Sequence, residues 1–253
     1  MLLADHQLVD FELSAARNDK VDMNEAIDQV IEEGIVHLCD FCGKPLLGVE
    51  YDILEDGRER CLTCSRQTVK SQAELEELFA SVRGSMCVKY GIHIKSPITV
   101  RMVSSAEIAS RMDRTFTPTP GFDARAVGVA VNSNGKYTIY LENGAPRLSL
   151  IETISHELTH IWQYENWNDA VINARYGSGN NLVIYEGMAV WSAIQYLFAV
   201  NEPEFATRLF TEEARREDEY GKGLRLYYKK YGMQTDGRIG RRRTPFQAGM
   251  NPL

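Results

Sequence analysis

Histidine is scarce in this chain: the five present are His6, His37, His93, His156 and His160, and none follows His160. A metal centre that needs a third imidazole further down the chain is therefore excluded, and position 166, six residues after His160, is Asn. No apolar run approaches the roughly 20 residues of a membrane span. The start, Met1-Leu2-Leu3-Ala4-Asp5, turns polar at once and does not read as a secretory leader. Positive charge is in deficit, with 28 Lys and Arg against 35 Asp and Glu and a net charge of −7, which argues against a general nucleic-acid surface. Cysteine is sparse and odd in number, five in all, which fits a reducing, cytoplasmic setting better than a disulfide framework. A chain of 253 residues with 44% hydrophobic and 25% charged content is ordinary globular material, enough for one large domain or one domain and a small module.

What is there begins with Ser155-His156-Glu157-Leu158-Thr159-His160. His156 and His160 are four apart, so on a helix they lie one turn above each other on the same side. Two imidazoles so placed can share one tetrahedral Zn²⁺, with Glu157 beside the open position where water binds. Ile154, Leu158, Ile161 and Trp162 fall at helical spacing as a buried stripe. Ser149 followed by Glu152 has the form of a capping box and predicts a helix start near Leu150. The bland alternative, a helix with two core histidines, would bury an ionised Glu between them without a partner, which is costly.

A catalytic zinc needs a third protein ligand. The choice is a downstream carboxylate, or His93, His37 or His6 from upstream. Glu186 is the best candidate, because it is the one acid in the apolar, helix-length run from Asn181 to Trp191 and needs a partner there. Pairing with a buried Arg or Lys is the structural rival. Gly187 and Ala189 beside it predict a close approach of this helix to the histidine helix. Glu165, Asp169, Glu212 and Glu213 are weaker candidates with more solvated neighbourhoods. Asn166 to Gly179 reads as the connecting loop, with Asn180 or Asn181 as the next cap.

Cys39-Asp40-Phe41-Cys42 and Cys61-Leu62-Thr63-Cys64 form two knuckles that together can hold a structural Zn²⁺ in an all-thiolate site. Four thiolates and no open position fold a module too small for a core of its own. Cys87 is left over and reads as a small buried apolar residue. Elsewhere, Ser71 with Glu74 caps a helix reaching about Tyr90, Ile98 to Val103 alternates as a strand, and Ser104 with Glu107 caps a short helix. Thr115 to Gly121 is a loop. Asn134-Gly135 between Val127–Val131 and Tyr137–Leu141 marks a hairpin, either strand of which could take an extended peptide as an added strand. Helices follow from Pro203 and around Leu224 to Tyr231, and Arg241-Arg242-Arg243 sits in a solvated tail.

The combination of Cys39, Cys42, Cys61 and Cys64 with His156, Glu157, His160 and Glu186-Gly187 resembles the plant ubiquitin-activated LIM peptidases that limit organ growth, and their bacterial relatives. The resemblance spans roughly residues 37 to 232. It implies a zincin-like fold, a zinc endopeptidase activity on protein substrates, His156 and His160 as ligands and Glu157 as the base. The ubiquitin-interacting pattern of plant members is absent here, since Val30 stands four residues after Ala26, and the cysteines suffice for one zinc module, which points to a bacterial-type member.

The expectation is an α+β chain: an N-terminal helical segment at 1–36, a LIM-like module at 37–68, a zincin-like domain at 69–232 and a flexible tail at 233–253. Two Zn²⁺ are expected per chain, one structural and one catalytic, with a protein or peptide substrate, a protein partner through the LIM-like module, and neither nucleic acid nor membrane as a partner. Tyr185, Tyr176 and Arg175 are candidates to stabilise the oxyanion. The competing class is a zinc-stabilised interaction module whose peptidase-like domain is inactive or held closed.

Overall fold

A computed structural model describes residues 37–55, 57–116, 126–177, 179–235 and 244–253. The expected helices at 1–36, most of the 115–121 loop and the Arg241–Arg243 cluster lie outside the described residues. The fold is mixed α+β, in two compact units that divide between Arg66 and Gln67.

In the first unit, strands β1 (Tyr51–Ile53) and β2 (Glu59–Cys61) pair antiparallel, and helix α1 (Leu62–Arg66) follows at once. Gly43 supplies the positive φ, 64°, that turns the chain after the first knuckle. The only apolar residues buried among those described in this unit are Cys39 and Leu46; Asp40, Arg58, Glu59 and Arg60 are buried with them. Arg60 grips Asp40 through two hydrogen bonds of 2.8 and 2.7 Å, and its guanidinium lies 4.4 Å from the Phe41 ring centre. A charged core of this kind gives specific geometry but little net stability. So small an apolar core leaves the module short of the burial that ordinarily sustains a fold.

The second unit opens with α2 (Gln72–Tyr90), where Ser71 and Glu74 form the expected capping box and Gly91 closes the helix at φ 70°. Its stripe, Leu75, Leu78, Phe79, Val82, Met86 and Tyr90, is buried. Strand β3 (Ile98–Val103) leads to α3 (Ser105–Arg111), capped by Ser104, and then to the hairpin β4 (Gly128–Ser133) and β5 (Lys136–Glu142). Asn134 and Gly135 both take positive φ, 52° and 78°, as a two-residue primed turn requires. The sheet order is β3-β5-β4, with β3 parallel and β4 antiparallel to β5. Because β5 is central, among the described residues only β4 of the two hairpin strands keeps an open edge, which corrects the expectation that either could serve.

Helix α4 (Arg147–Asn166) carries the histidines. It starts three residues before Leu150, with Pro146 at the cap and no side-chain cap bond, so Ser149 and Glu152 are not a capping box. The Thr153 hydroxyl donates to both the Ser149 carbonyl (2.9 Å) and the Glu152 carboxylate (3.2 Å), and these groups lie within the first turns. The expected loop from Asn166 to Gly179 contains a further helix, α5 (Asp169–Tyr176). Asn168 accepts from the backbone of Ala170 and Val171 to start it, and Ile172, fully buried, anchors it.

Helix α6 (Asn181–Ala199), 19 residues long, corrects the expectation that no apolar run approaches a membrane span: it is long and apolar enough by composition, yet 78% of that stretch is buried inside the protein. Gly187 does not face α4. It meets Gly223 of α8 (Glu219–Tyr231), where an added Cβ would lie 2.4 Å from the Gly223 Cα. The approach to α4 is made instead by hydroxyls and an amide: Thr159 donates to Ser192 at 3.0 Å, and Gln163 donates to the Tyr185 carbonyl at 3.0 Å. Helix α7 (Pro203–Arg215) fills the space before α8.

The last residues are not a loose tail. Pro245–Ala248 form a 3-10 helix, and Phe246 packs 5.4 Å from the Tyr90 ring and 5.0 Å from Trp162. Tyr231 donates to the Pro252 carbonyl, and Tyr176 to the Leu253 carbonyl at 3.1 Å. A single large aromatic with a ready slot outweighs the polar composition around it.

Candidate metal centres

Cys39 and Cys42 come from the first turn of the small module, Cys61 from the end of β2 and Cys64 from α1. All four sulfurs lie within 4.8 Å of one another, and Cys42 Sγ is 3.8 Å from Cys61 Sγ. A tetrahedral cation bound to each sulfur at about 2.3 Å would space them by about 3.8 Å, so the residues fit such an ion. The thiols perturb one another strongly. Hydrogen bonds from Cys42 and Cys64 hold Cys39 far below the usual thiol range, and Cys39 in turn pushes Cys42 up to about 11 and raises Cys64 further. Thiolates crowded this closely repel one another unless a cation lies between them.

The purified protein is expected to carry two metal ions, and Cys39→Ser to reduce this to one. Residues 37–66 of that variant should become open to limited proteolysis, because metal binding supplies on the order of 10 kcal/mol of the folding free energy in sites of this kind. Metal analysis returning one ion for the wild type, or a protease-resistant module in the variant, would refute this.

The second cluster joins His156 and His160 of α4 with Glu186 of α6. The Nε2 atoms of the histidines are 3.0 Å apart, and Glu186 Oε2 is 3.3 Å from His156 and 3.2 Å from His160. Ligand bonds of about 2.0–2.1 Å in a tetrahedron require spacings of roughly 3.3 Å. The three side chains are 10–17% exposed, so the cluster is mostly buried but not sealed from solvent. His160 Nδ1 lies 2.9 Å from Gln163 Oε1, and the same amide donates its Nε2–H to the Tyr185 carbonyl. The amide oxygen therefore accepts and His160 Nδ1 carries a proton, so Nε2 is the nitrogen turned to the cluster, where it meets Glu186 or an ion.

Burial disfavours a charged His156, but the Glu186 hydrogen bond and the surrounding carboxylates raise it to about 9. Burial likewise works against an ionised Glu186, yet hydrogen bonds from both histidines hold its carboxyl well below the usual range. A positive charge is favoured at this point whichever ion or proton carries it.

The other ligand candidates are engaged elsewhere. Glu165 accepts from the backbone of Lys95 (3.0 Å) and Ser96 (2.7 Å), Asp169 from the Tyr185 hydroxyl, and Glu213 from Arg216. Glu212 pairs with Arg208 at 3.6 Å. His93 lies 3.5 Å from the Cys87 sulfur, His37 pairs with Glu59, and His6 is outside the described residues. Cys87 is partly exposed rather than buried.

Glu157 is not among the ligands. Its Oε2 accepts the Ala130 N–H of edge strand β4 at 3.0 Å. Gly128 lets β4 come this close to α4: a Cβ there would lie 2.7 Å from the Thr153 methyl carbon. One turn before His156, burial pushes the Glu152 carboxyl up to about 7, with His156 opposing and Glu213 adding to the rise.

Each of the three candidates for an oxyanion donor has another hydrogen-bond partner. The Tyr185 hydroxyl is held by Asp169, Tyr176 by the chain end, and Arg175 donates to the Met250 carbonyl at 3.2 Å. Two other tyrosines flank the cluster. Tyr164 stacks on His160 with ring centres 6.2 Å apart, and Tyr220 on His156 at 6.3 Å. Burial, then Glu186, raise the Tyr220 phenol well above its ordinary range. Tyr164 follows His160 by four, so helical spacing could have found it; no local signal links Tyr220 to the histidines. Comparison of the chain with protein-family models, with curated proteins and with solved structures finds no match.

Proposed function

We propose that the second unit is a zincin-like zinc endopeptidase domain, related to the LIM peptidases it resembles, and that the small module holds a second, structural Zn²⁺. The observation that carries this reading is the pairing of three ligand atoms 3.0–3.3 Å apart with a carboxylate, Glu157, that adjoins them but belongs to no ligand set. An all-thiolate set and a His-His-Glu set both suit zinc.

When bound, Zn²⁺ lowers the pKa of a coordinated water to about 7 and polarises a carbonyl. Glu157 takes a proton from the attacking water as the new C–O bond forms, then delivers it to the leaving nitrogen as the C–N bond breaks. The Ala130 N–H fixes the direction of that carboxylate and ties it to the strand edge along which an extended peptide would pair. Gln163 keeps His160 in the tautomer a ligand needs.

Zinc-loaded protein should cleave fluorescein-labelled casein, 1,10-phenanthroline should stop the cleavage, and added Zn²⁺ should restore it. Intact casein after prolonged incubation with the two-metal protein would reject the proposal. A second reading, partner binding by the small module, is favoured by Leu47 (57% exposed), Val49 (52%) and Ile53 (69%), which stand out beside the exposed acids Glu50 and Asp52.

A further inference from the structure

A peptide carbonyl under attack by water becomes an alkoxide-like oxygen, and a positioned donor for that charge is among the largest single contributors to such catalysis. The donor must stand beside the metal ligands and have a free hydrogen. The Tyr220 ring lies nearly parallel to that of His156, at 19° and 6.3 Å between centres. Its hydroxyl makes no hydrogen bond to any described residue. On its other neighbour the Arg216 guanidinium sits 4.5 Å from the ring centre.

The corner between α7 and α8 holds that arrangement rigidly. Arg216 donates to both oxygens of Glu213 at 3.0 Å and to Asp218 at 2.6 and 2.9 Å. Asp218 caps α8 by accepting the Gly221 N–H at 3.2 Å. Gly221 allows the corner to close: a Cβ there would lie 2.1 Å from the Arg216 carbonyl oxygen. Tyr220 is thus pinned between a cap, an ion-paired guanidinium and a ligand histidine.

We propose that Tyr220 is a catalytic residue whose hydroxyl donates the hydrogen bond to the oxyanion at the scissile carbonyl, with Arg216 as the residue that positions its ring. This rests on the peptidase reading above. As the water oxygen bonds to the carbonyl carbon, the carbonyl π electrons move to oxygen and Tyr220 stabilises them without giving up its proton. They return to the C–O bond when the amine leaves.

The test uses full-length, zinc-loaded protein with Tyr220→Phe, which keeps the ring and removes only the donor. On a fluorescent peptide cut by the wild type, kcat should fall about 10²–10³-fold with KM unchanged. Metal content should stay at the wild-type value. A peptide phosphonate, whose charged oxygen mimics the oxyanion, should bind about 100-fold more weakly. Arg216→Gln should lower kcat by a smaller factor in the same direction. If Tyr220→Phe keeps its kcat and phosphonate affinity, or if Tyr164→Phe shows the losses instead, the role of Tyr220 is overturned while the peptidase reading stands. Loss of metal from Tyr220→Phe would also overturn it, as a structural role. A wild type that cleaves neither peptide nor casein overturns both.

Discussion

Glu157→Gln should keep both metal ions and the fold while losing cleavage by about 10³-fold, within the range that a positioned general base contributes. The reasoning is geometric. Gln has the shape of Glu, and its amide oxygen can still accept the Ala130 N–H that holds Glu157 at 3.0 Å, so β4 and α4 stay in register. What disappears is a group able to take the proton from water and give it to nitrogen. No metal should be lost, because Oε2 of Glu186, not Glu157, completes the ligand set. Metal analysis and casein cleavage on the same preparation separate the two effects. A Gln variant as fast as the wild type would mean that the proton goes elsewhere. Glu157→Ala is expected to be worse than Gln, since it also leaves the Ala130 amide without its acceptor.

The second large effect belongs to Glu186. Glu186→Ala should lose the second metal ion and all cleavage together, since two imidazoles with Nε2 atoms 3.0 Å apart make an incomplete set. The fold should survive, because Ile184 and Met188 on the same helix stay buried against their neighbours. Glu186→Asp, one methylene shorter, should bind the ion more weakly without unfolding. A structural carboxylate would behave oppositely, lowering the melting temperature with metal content unchanged.

The metal-free protein offers a pH signature of the same pair. His156 is raised from 6.5 to about 9, so its contribution to stability is fully present below pH 6.5 and is lost as pH rises through 9. Glu186 is lowered from 4.5, so its contribution is present above pH 4.5 and is lost as pH falls below it. Thermal unfolding of the metal-free wild type should therefore show the pair's stabilisation greatest between about pH 4.5 and 6.5, and Glu186→Ala should remove it. A variant whose melting curve follows the wild type at every pH would show that the pair is not formed.

Local chemistry was easiest to read where a few neighbouring residues decide the outcome. The Ser71–Glu74 box, the Ser104 cap and the Asn134-Gly135 turn each satisfy or bend a backbone within four residues, and each is found. Ser149 and Glu152 have the same spelling as Ser71 and Glu74, yet the helix starts earlier, at Arg147. There the chain enters from a bridge between Thr68 and Pro146, which fixes the start before a side chain could. The sequence does not reveal α5 because its single core residue, Ile172, gives no period, and its cap Asn168 lies in a polar stretch.

The two ligand sets were legible for a related reason. A helix turn alone brings His156 and His160 together, short turns bring the cysteine knuckles together, and an acid in an apolar helix demands a partner wherever the helix goes. Gly187 could be recognised as a point of close approach, but only packing chose Gly223 of α8 over α4 as its neighbour. The same holds for Ala130 on Glu157, Gln163 on His160 and Tyr220 on His156. Each joins elements that lie apart in the chain, through an edge strand, a helix crossing or a corner, and no periodicity encodes such a meeting. The sequence by itself determined which residues can hold metal and which carboxylate stands beside them. Only the tertiary structure decided what orients them, because orientation comes from contacts whose partners are selected by the packing of whole helices and strands.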